Sequence, residues 1–179
     1  MINTKIKGNI KNRKELERIV QNNTVLHSYL FLGENGIGKK EIAKEFAKQI
    51  LCLAHKDKCV CKSCICFETD NHPDFQLINN EGETIKISTI REMISTVYEK
   101  PILSKKKIYI INDADKMTKE AQNSLLKTLE EPPEYIIIIL IASNTDMLLN
   151  TIKSRCTKII FEKLTTQELK EALEPKTNL

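Results

Sequence analysis

Residues 28–51, SYLFLGENGIGKKEIAKEFAKQIL, place a short apolar run, a glycine-rich turn and an amphipathic stretch in immediate succession. The run SYLFL suits a buried strand, and Ile42, Phe46 and Ile50 recur four apart, as one face of a helix requires. Between them Gly33, Gly36, Gly38 and Lys39 fit G-x-x-x-x-G-K, the strand-to-helix turn whose backbone N–H groups and helix N-terminus hold phosphates. The next residue breaks the pattern. A Ser or Thr hydroxyl normally holds Mg²⁺ there, whereas Lys40 offers an ammonium with no lone pair, which repels the cation.

Outward from this turn, strand and helix signals alternate, the pattern of a mainly parallel sheet with crossover helices. NRKELERIVQN (12–22) has Leu16, Ile19 and Val20 on one face. DFQLI (74–78), KIYII (107–111), YIIIILIAS (135–143) and KIIF (158–161) read as the remaining strands, the fourth apolar on both faces as a central strand must be. STIREMISTVYEK (88–100) predicts a helix stopped before Pro101. TKEAQNSLLKTLEE (118–131) predicts another, capped by Thr118, burying Leu125, Leu126 and Leu129, and ended by Pro132 and Pro133. Thr165-x-x-Glu168 is a capping box opening a last helix, which predicts a second domain begun at residues 164–179 and cut short. In IYIINDAD the strand-end position for a Mg²⁺-side aspartate is Asn112, with Asp113 where a water-polarising glutamate belongs; a slip of one residue makes Asp113 the metal aspartate.

The 179 residues are 41% apolar and 29% charged, ordinary globular material for one core. A net charge of +4 falls short of the Lys/Arg stripe that announces nucleic-acid binding. No apolar run reaches a membrane span and MINTKIKGNI lacks a signal-peptide core, so a cytoplasmic protein is expected. In a reducing compartment clustered cysteines are metal ligands or free thiols rather than disulfides. Of six, Cys52, Cys59, Cys61, Cys64 and Cys66 lie within fifteen residues, a spacing that suits tetrahedral thiolate ligation of Zn²⁺. Cys156 reads as a packed thiol, His72 as a turn residue, His27 as an edge residue, and Lys105–Lys107 as a solvated turn.

HSYLFLGENGIGKKEIA, CKSC followed by NHPDF, NSLLKTLEEPP and TIKSRC occur in an order that resembles the bacterial DNA polymerase III clamp-loader family, its delta-prime branch above all, over residues 5–163. The resemblance implies an AAA+ module with a five-stranded parallel sheet over residues 1–163, a zinc-binding insertion at about 52–66, and a helical lid beginning at 164. It implies Cys52, Cys59, Cys61 and Cys64 as ligands of Zn²⁺, with Cys66 or His55 as substitutes, and Asn144 at the sensor position near a γ-phosphate, although without a competent Mg²⁺ site Asn144 reads as a strand-end cap. It also implies that Arg155 of the SRC triplet reaches a neighbouring subunit's ATP. The expected partners are the clamp-loader ATPase subunits and delta, with the sliding clamp and primed DNA contacted indirectly. Without the family's collar the chain is expected to be monomeric. Three readings follow: a non-hydrolysing clamp-loader subunit, whose loop retains ATP or ADP or is vestigial; an active P-loop ATPase; and a zinc-dependent nucleic-acid-binding module, for which only Lys56, Lys58, Lys62 and Phe67 are at hand.

Overall fold

A computed structural model of the chain describes residues 8–54, 59–78 and 83–163. His55 and the capping box at Thr165 and Glu168 lie outside the described residues. Strands β1 (Ser28–Leu32), β2 (Phe75–Ile78), β3 (Lys107–Ile111), β4 (Ile136–Ala142) and β5 (Thr157–Ile160) form one sheet in the order β2-β3-β4-β1-β5. Every pairing is parallel, with Ser28 opposite Ile138, Tyr29 opposite Thr157 and Lys107 opposite Ile136. The helices are α1 (Ile10–Gln21), α2 (Lys39–Leu51), α3 (Lys62–Glu68), α4 (Ile87–Val97), α5 (Lys119–Glu130) and α6 (Asn150–Arg155).

Parallel strands need crossovers, and crossovers cover both faces of the sheet. Leu30, Tyr109, Ile138 and Leu140 pack with Ile90 and Met93 of α4, Leu125 and Leu129 of α5, and Ile152 of α6. On the other face Tyr29, Phe31, Ile110 and Ile139 pack with Leu16 of α1 and with Ile42 and Phe46 of α2. Tyr29 meets Phe46 edge to face, centroids 5.3 Å apart. The outer edge of β5 is tied to the start of α1: Asn9 exchanges two hydrogen bonds with the backbone of Glu162, and Asn12 Nδ2 donates to Ile160 O at 2.7 Å.

The predicted five strands and four helices within residues 8–163 are present, with ends displaced by at most three residues, the largest shift being the end of α4 at Val97. Three details differ. Helices α3 and α6 lie where no helix is expected, because seven and six residues are too few to show a period. Leu126 is only partly buried. Lys107 is not a solvated turn residue: it opens β3, and its Nζ lies 5.9 Å from the Tyr109 ring centroid and donates to Thr96 O at 2.8 Å. A long stem laid along apolar surface with a bonded head explains its burial.

Candidate functional site

The glycine loop joins β1 to α2 at the carboxyl end of the sheet, the crevice where open α/β sheets hold ligands. Gly38 caps α2 at φ 85°, a left-handed conformation natural to glycine. At Gly33 a side chain has no room, since a Cβ would lie 2.7 Å from the Phe161 carbonyl. Lys39 is 6% exposed, and its ammonium donates to Gly33 O and Glu34 O, each at 2.6 Å. Burial lowers its pKa, while the charges of Asp115, Asp113 and Glu34 act to raise it. Lys40 follows on the same turn, half-buried.

Beside the loop stand the ends of β3 and β4. Asn112 follows β3 and its backbone N–H donates to Ile78 O. Asp113 is left-handed at φ 53° and pairs with Lys116 at 3.2 Å. Asp115, which carries no motif signal beyond the second acid of NDAD, is the deeper carboxylate. Its Oδ2 accepts from Ser143 N, Ser143 Oγ and Asn144 N, and its Oδ1 is buried without a hydrogen-bond partner. Asn144 is thus held next to the crevice by its backbone, while its own side chain accepts from Asp146 N at 2.9 Å and caps the turn Thr145–Met147.

The thiols form a second centre. Cys52 ends α2, Cys61 caps α3 and Cys64 lies one turn into it, while Cys59 accepts from Cys61 N at 3.4 Å. The four sulfurs lie within 4.8 Å of one another, compatible with the spacing of about 3.8 Å that ~2.3 Å Zn–S bonds give in a tetrahedron. Burial alone would raise Cys61, but the backbone N–H groups of Cys64 and Leu53 and the neighbouring thiols bring it down to about 6. Burial, with the thiols of Cys52 and Cys61, pushes Cys64 up. One thiolate among crowded thiols is a donor set that fits a soft, thiophilic cation. Cys66, on α3, is not in the group. Neither is His72, nor is His72 an open turn residue: it is 5% exposed, accepts from Asp74 N at Nδ1 (3.0 Å), and so carries its proton on Nε2, 2.8 Å from Ser63 Oγ. Ser63 and Ser104 both donate to Leu51 O, and Asp74 accepts from the backbone of Ile102, Leu103 and Ser104. This network fastens the thiol segment to the loop before β3.

Arg155 lies elsewhere. Ser28 Oγ donates to its carbonyl at 2.6 Å, which fixes it at the amino end of β1. The glycine loop leaves the opposite end of that strand, about 16 Å away at ~3.3 Å per residue. Cys156 beside it is buried, and burial pushes its thiol up to about 11, as a packed thiol should behave. Gln122 of α5 links the surroundings, donating to Met117 O and Met147 O and accepting from Leu149 N just before α6. Asp115, Gln122, Ser28 and Glu130, the last of them paired with Arg155, have no sequence signal as functional residues, because each gains its meaning from a remote partner.

Residues 8–165 match the family model described as DNA polymerase III, delta subunit. The chain is 37% identical over 162 residues to the DNA polymerase III subunit delta' of Bacillus subtilis, covering 89% of the chain and 49% of that protein. It is 34% identical over 163 residues to the DNA polymerase III subunit gamma/tau of Mycoplasma genitalium, covering 90% of the chain and 27% of that protein. The chain therefore spans about half the length of the first relative and less of the second. Among solved structures, a DNA polymerase III gamma subunit-related protein from Thermotoga maritima superposes with a TM-score of 0.63 at 26% identity, over 87% of this chain and 47% of that one. With its strand-to-helix glycine loop, thiol cluster and parallel sheet falling inside the matched residues, the chain belongs to the DNA polymerase III delta subunit family of clamp-loader proteins.

Proposed function

We propose that the chain is a delta-prime-like clamp-loader subunit that does not hydrolyse ATP itself and completes a neighbouring subunit's ATP site with Arg155. The observation that carries this reading is the position of Arg155: it stands at the end of β1 remote from its own glycine loop, so its guanidinium serves another chain's nucleotide or none. Guanidinium stays charged and bridges two phosphate oxygens, stabilising the charge that develops during phosphoryl transfer. The chain's own crevice supports the other half of the reading. Gly33, Gly36, Gly38 and Lys39 keep the backbone geometry for phosphate, whereas Lys40 and Asn112 replace the hydroxyl and carboxylate that hold Mg²⁺. ATP or ADP is bound there weakly, if the Lys39 ammonium leaves its two carbonyls for a phosphate.

In this proposal residues 1–163 form the AAA+ module, and Cys52, Cys59, Cys61 and Cys64 hold Zn²⁺, which supplies the folding energy that a short segment with little apolar content lacks. The partners are the clamp-loader ATPases and delta in the cytoplasm, with the sliding clamp and primed DNA reached through them. Among the described residues no helix is long and apolar enough to cross a membrane.

A second reading, an active ATPase, draws on Asp115, a carboxylate beside the ends of β3 and β4 whose Oδ1 is buried without a hydrogen-bond partner. Phosphate release decides between them. The purified chain should release phosphate at background rate, and Arg155→Ala in the complete native protein, assembled with its ATPase partners, should slow clamp-loading turnover by ~10³ or more while leaving assembly intact. Turnover by the chain alone that Lys39→Ala abolishes would establish the second reading; unchanged turnover in the Arg155→Ala assembly would remove the first.

A further inference from the structure

If Arg155 acts on a neighbour's nucleotide, the premise on which this inference rests, something must aim it. An arginine side chain has several rotatable bonds and does not hold a direction unaided. Here its tip is held twice: Nη1 donates to Thr151 O at 2.9 Å, one turn back in α6, and Nη2 pairs with Glu130 Oε1 at 2.5 Å. Ser28, 2% exposed, fixes the carbonyl of the same residue. Three separate elements, α5, α6 and β1, therefore grip one residue.

Glu130 is the last residue of α5, the end of a helix at which a carboxylate is disfavoured by the exposed carbonyl dipoles. The cation of Arg155 offsets that repulsion, so each group is better placed beside the other. The helix behind Glu130 is itself anchored. Thr118 caps it, Leu125 and Leu129 are buried, and Gln122 bonds the backbone of Leu149 at the entry to α6. A guanidinium has five N–H donors, and these contacts use two. Three remain, enough for a fork onto two phosphate oxygens, and about a third of the arginine side chain is exposed (32%).

We propose that Glu130 is a positioning residue for Arg155: its carboxylate holds one edge of the guanidinium so that the remaining N–H groups meet a neighbouring subunit's phosphates without a search. A partly exposed ion pair of this kind adds little to stability, so removing it should leave the fold intact and expose the effect on turnover.

The test uses the complete native protein assembled with its clamp-loader ATPases, carrying Glu130→Ala, Glu130→Gln, Glu130→Asp or Arg155→Ala, with kcat and KM for ATP measured separately. The ¹⁵N–¹H resonance of Arg155 Nε is followed in the wild type and the three Glu130 variants. Glu130→Ala should lower kcat roughly 10- to 100-fold, the scale of a misplaced catalytic group, with KM for ATP unchanged and the Arg155 resonance broadened or moved. Glu130→Asp should recover part of the loss, and Glu130→Gln, which keeps an acceptor oxygen without the charge, should lose less than alanine. Wild-type kcat in Glu130→Ala beside a slow Arg155→Ala would leave the arginine's role standing and reduce Glu130 to a surface partner. Wild-type kcat in Arg155→Ala would instead overturn the premise, and the positioning role with it. Should Glu130→Ala fail to assemble, Glu130→Gln takes its place in the same kcat comparison: a lowered kcat supports the positioning role, and wild-type kcat overturns it.

Discussion

His72 and Asp74 show how single side chains fasten the thiol segment to the sheet. The imidazole has both ring nitrogens engaged in its neutral form, one accepting from Asp74 N and the other bonded to Ser63. A second proton would have to displace the Asp74 N–H from Nδ1. Burial accordingly lowers the pKa of His72 from its ordinary value, with the Asp74 charge opposing that shift. The sign of the pH dependence follows. An unfolded histidine takes up a proton near pH ~6.5 while the folded one resists, so stability is full above that value and falls as pH drops through the interval down to the folded pKa. Denaturant unfolding between pH 7.5 and 5.5 should therefore show a declining stability whose slope is shallower in His72→Gln. Equal slopes in the two proteins would show that His72 is not the responsible group.

At the scale of elements, the strands and the thiol segment rest on different supports. The sheet has a core on both faces, whereas α3 has Phe67 and Cys64 buried and is otherwise held by the serine, histidine and thiol contacts. Phe67 meets Phe75 with centroids 4.6 Å apart, a single apolar pin. Protein prepared without chelator should carry about one Zn²⁺ per chain. Removing it should increase amide hydrogen exchange in residues 59–68 while β1, β3 and β4 stay protected. Exchange that rises equally in the central strands would mean that the metal supports the whole fold.

The same contrast explains what is legible in the sequence. The central strands can be read because a strand buried on both faces is a continuous apolar run, as in Ile136–Ala142. The glycine loop can be read because its residues are contiguous and act through their own backbone, and the thiol cluster because five cysteines crowd one short segment, although crowding alone does not single out the four that come together. Helices α3 and α6 cannot, being shorter than two turns. Lys107 misleads because its local context is a run of lysines, while its burial depends on Thr96 and Tyr109, the first of them in another element. Asp115 and Glu130 stay hidden for a related reason: a carboxylate's role depends on what folding brings beside it.

For the whole molecule, the strand order decides how the chain can work. The sheet has two ends, and β1 leads into the glycine loop at one and contacts Arg155 at the other. In the proposed reading, relatives set side by side, the arginine end of one against the loop end of the next, would make a heterologous contact of the kind that closes into rings. The position of β1 between β4 and β5 has another consequence, in the time course of synthesis. The strand made first waits for partners about 110 and 130 residues downstream. At ~5–20 residues per second on the ribosome, Ser28–Leu32 spends roughly 5–25 s as an unpaired apolar segment. Such sequence-distant pairing also predicts slow refolding for a domain of this size. Nascent chains stalled with residue 133 at the tunnel exit should be digested readily by protease, and chains stalled beyond residue 163 should resist. Early resistance would mean that α1, β1 and α2 find shelter before their strand neighbours exist, and that the centre of this sheet is assembled around them rather than closed by the last strands to emerge.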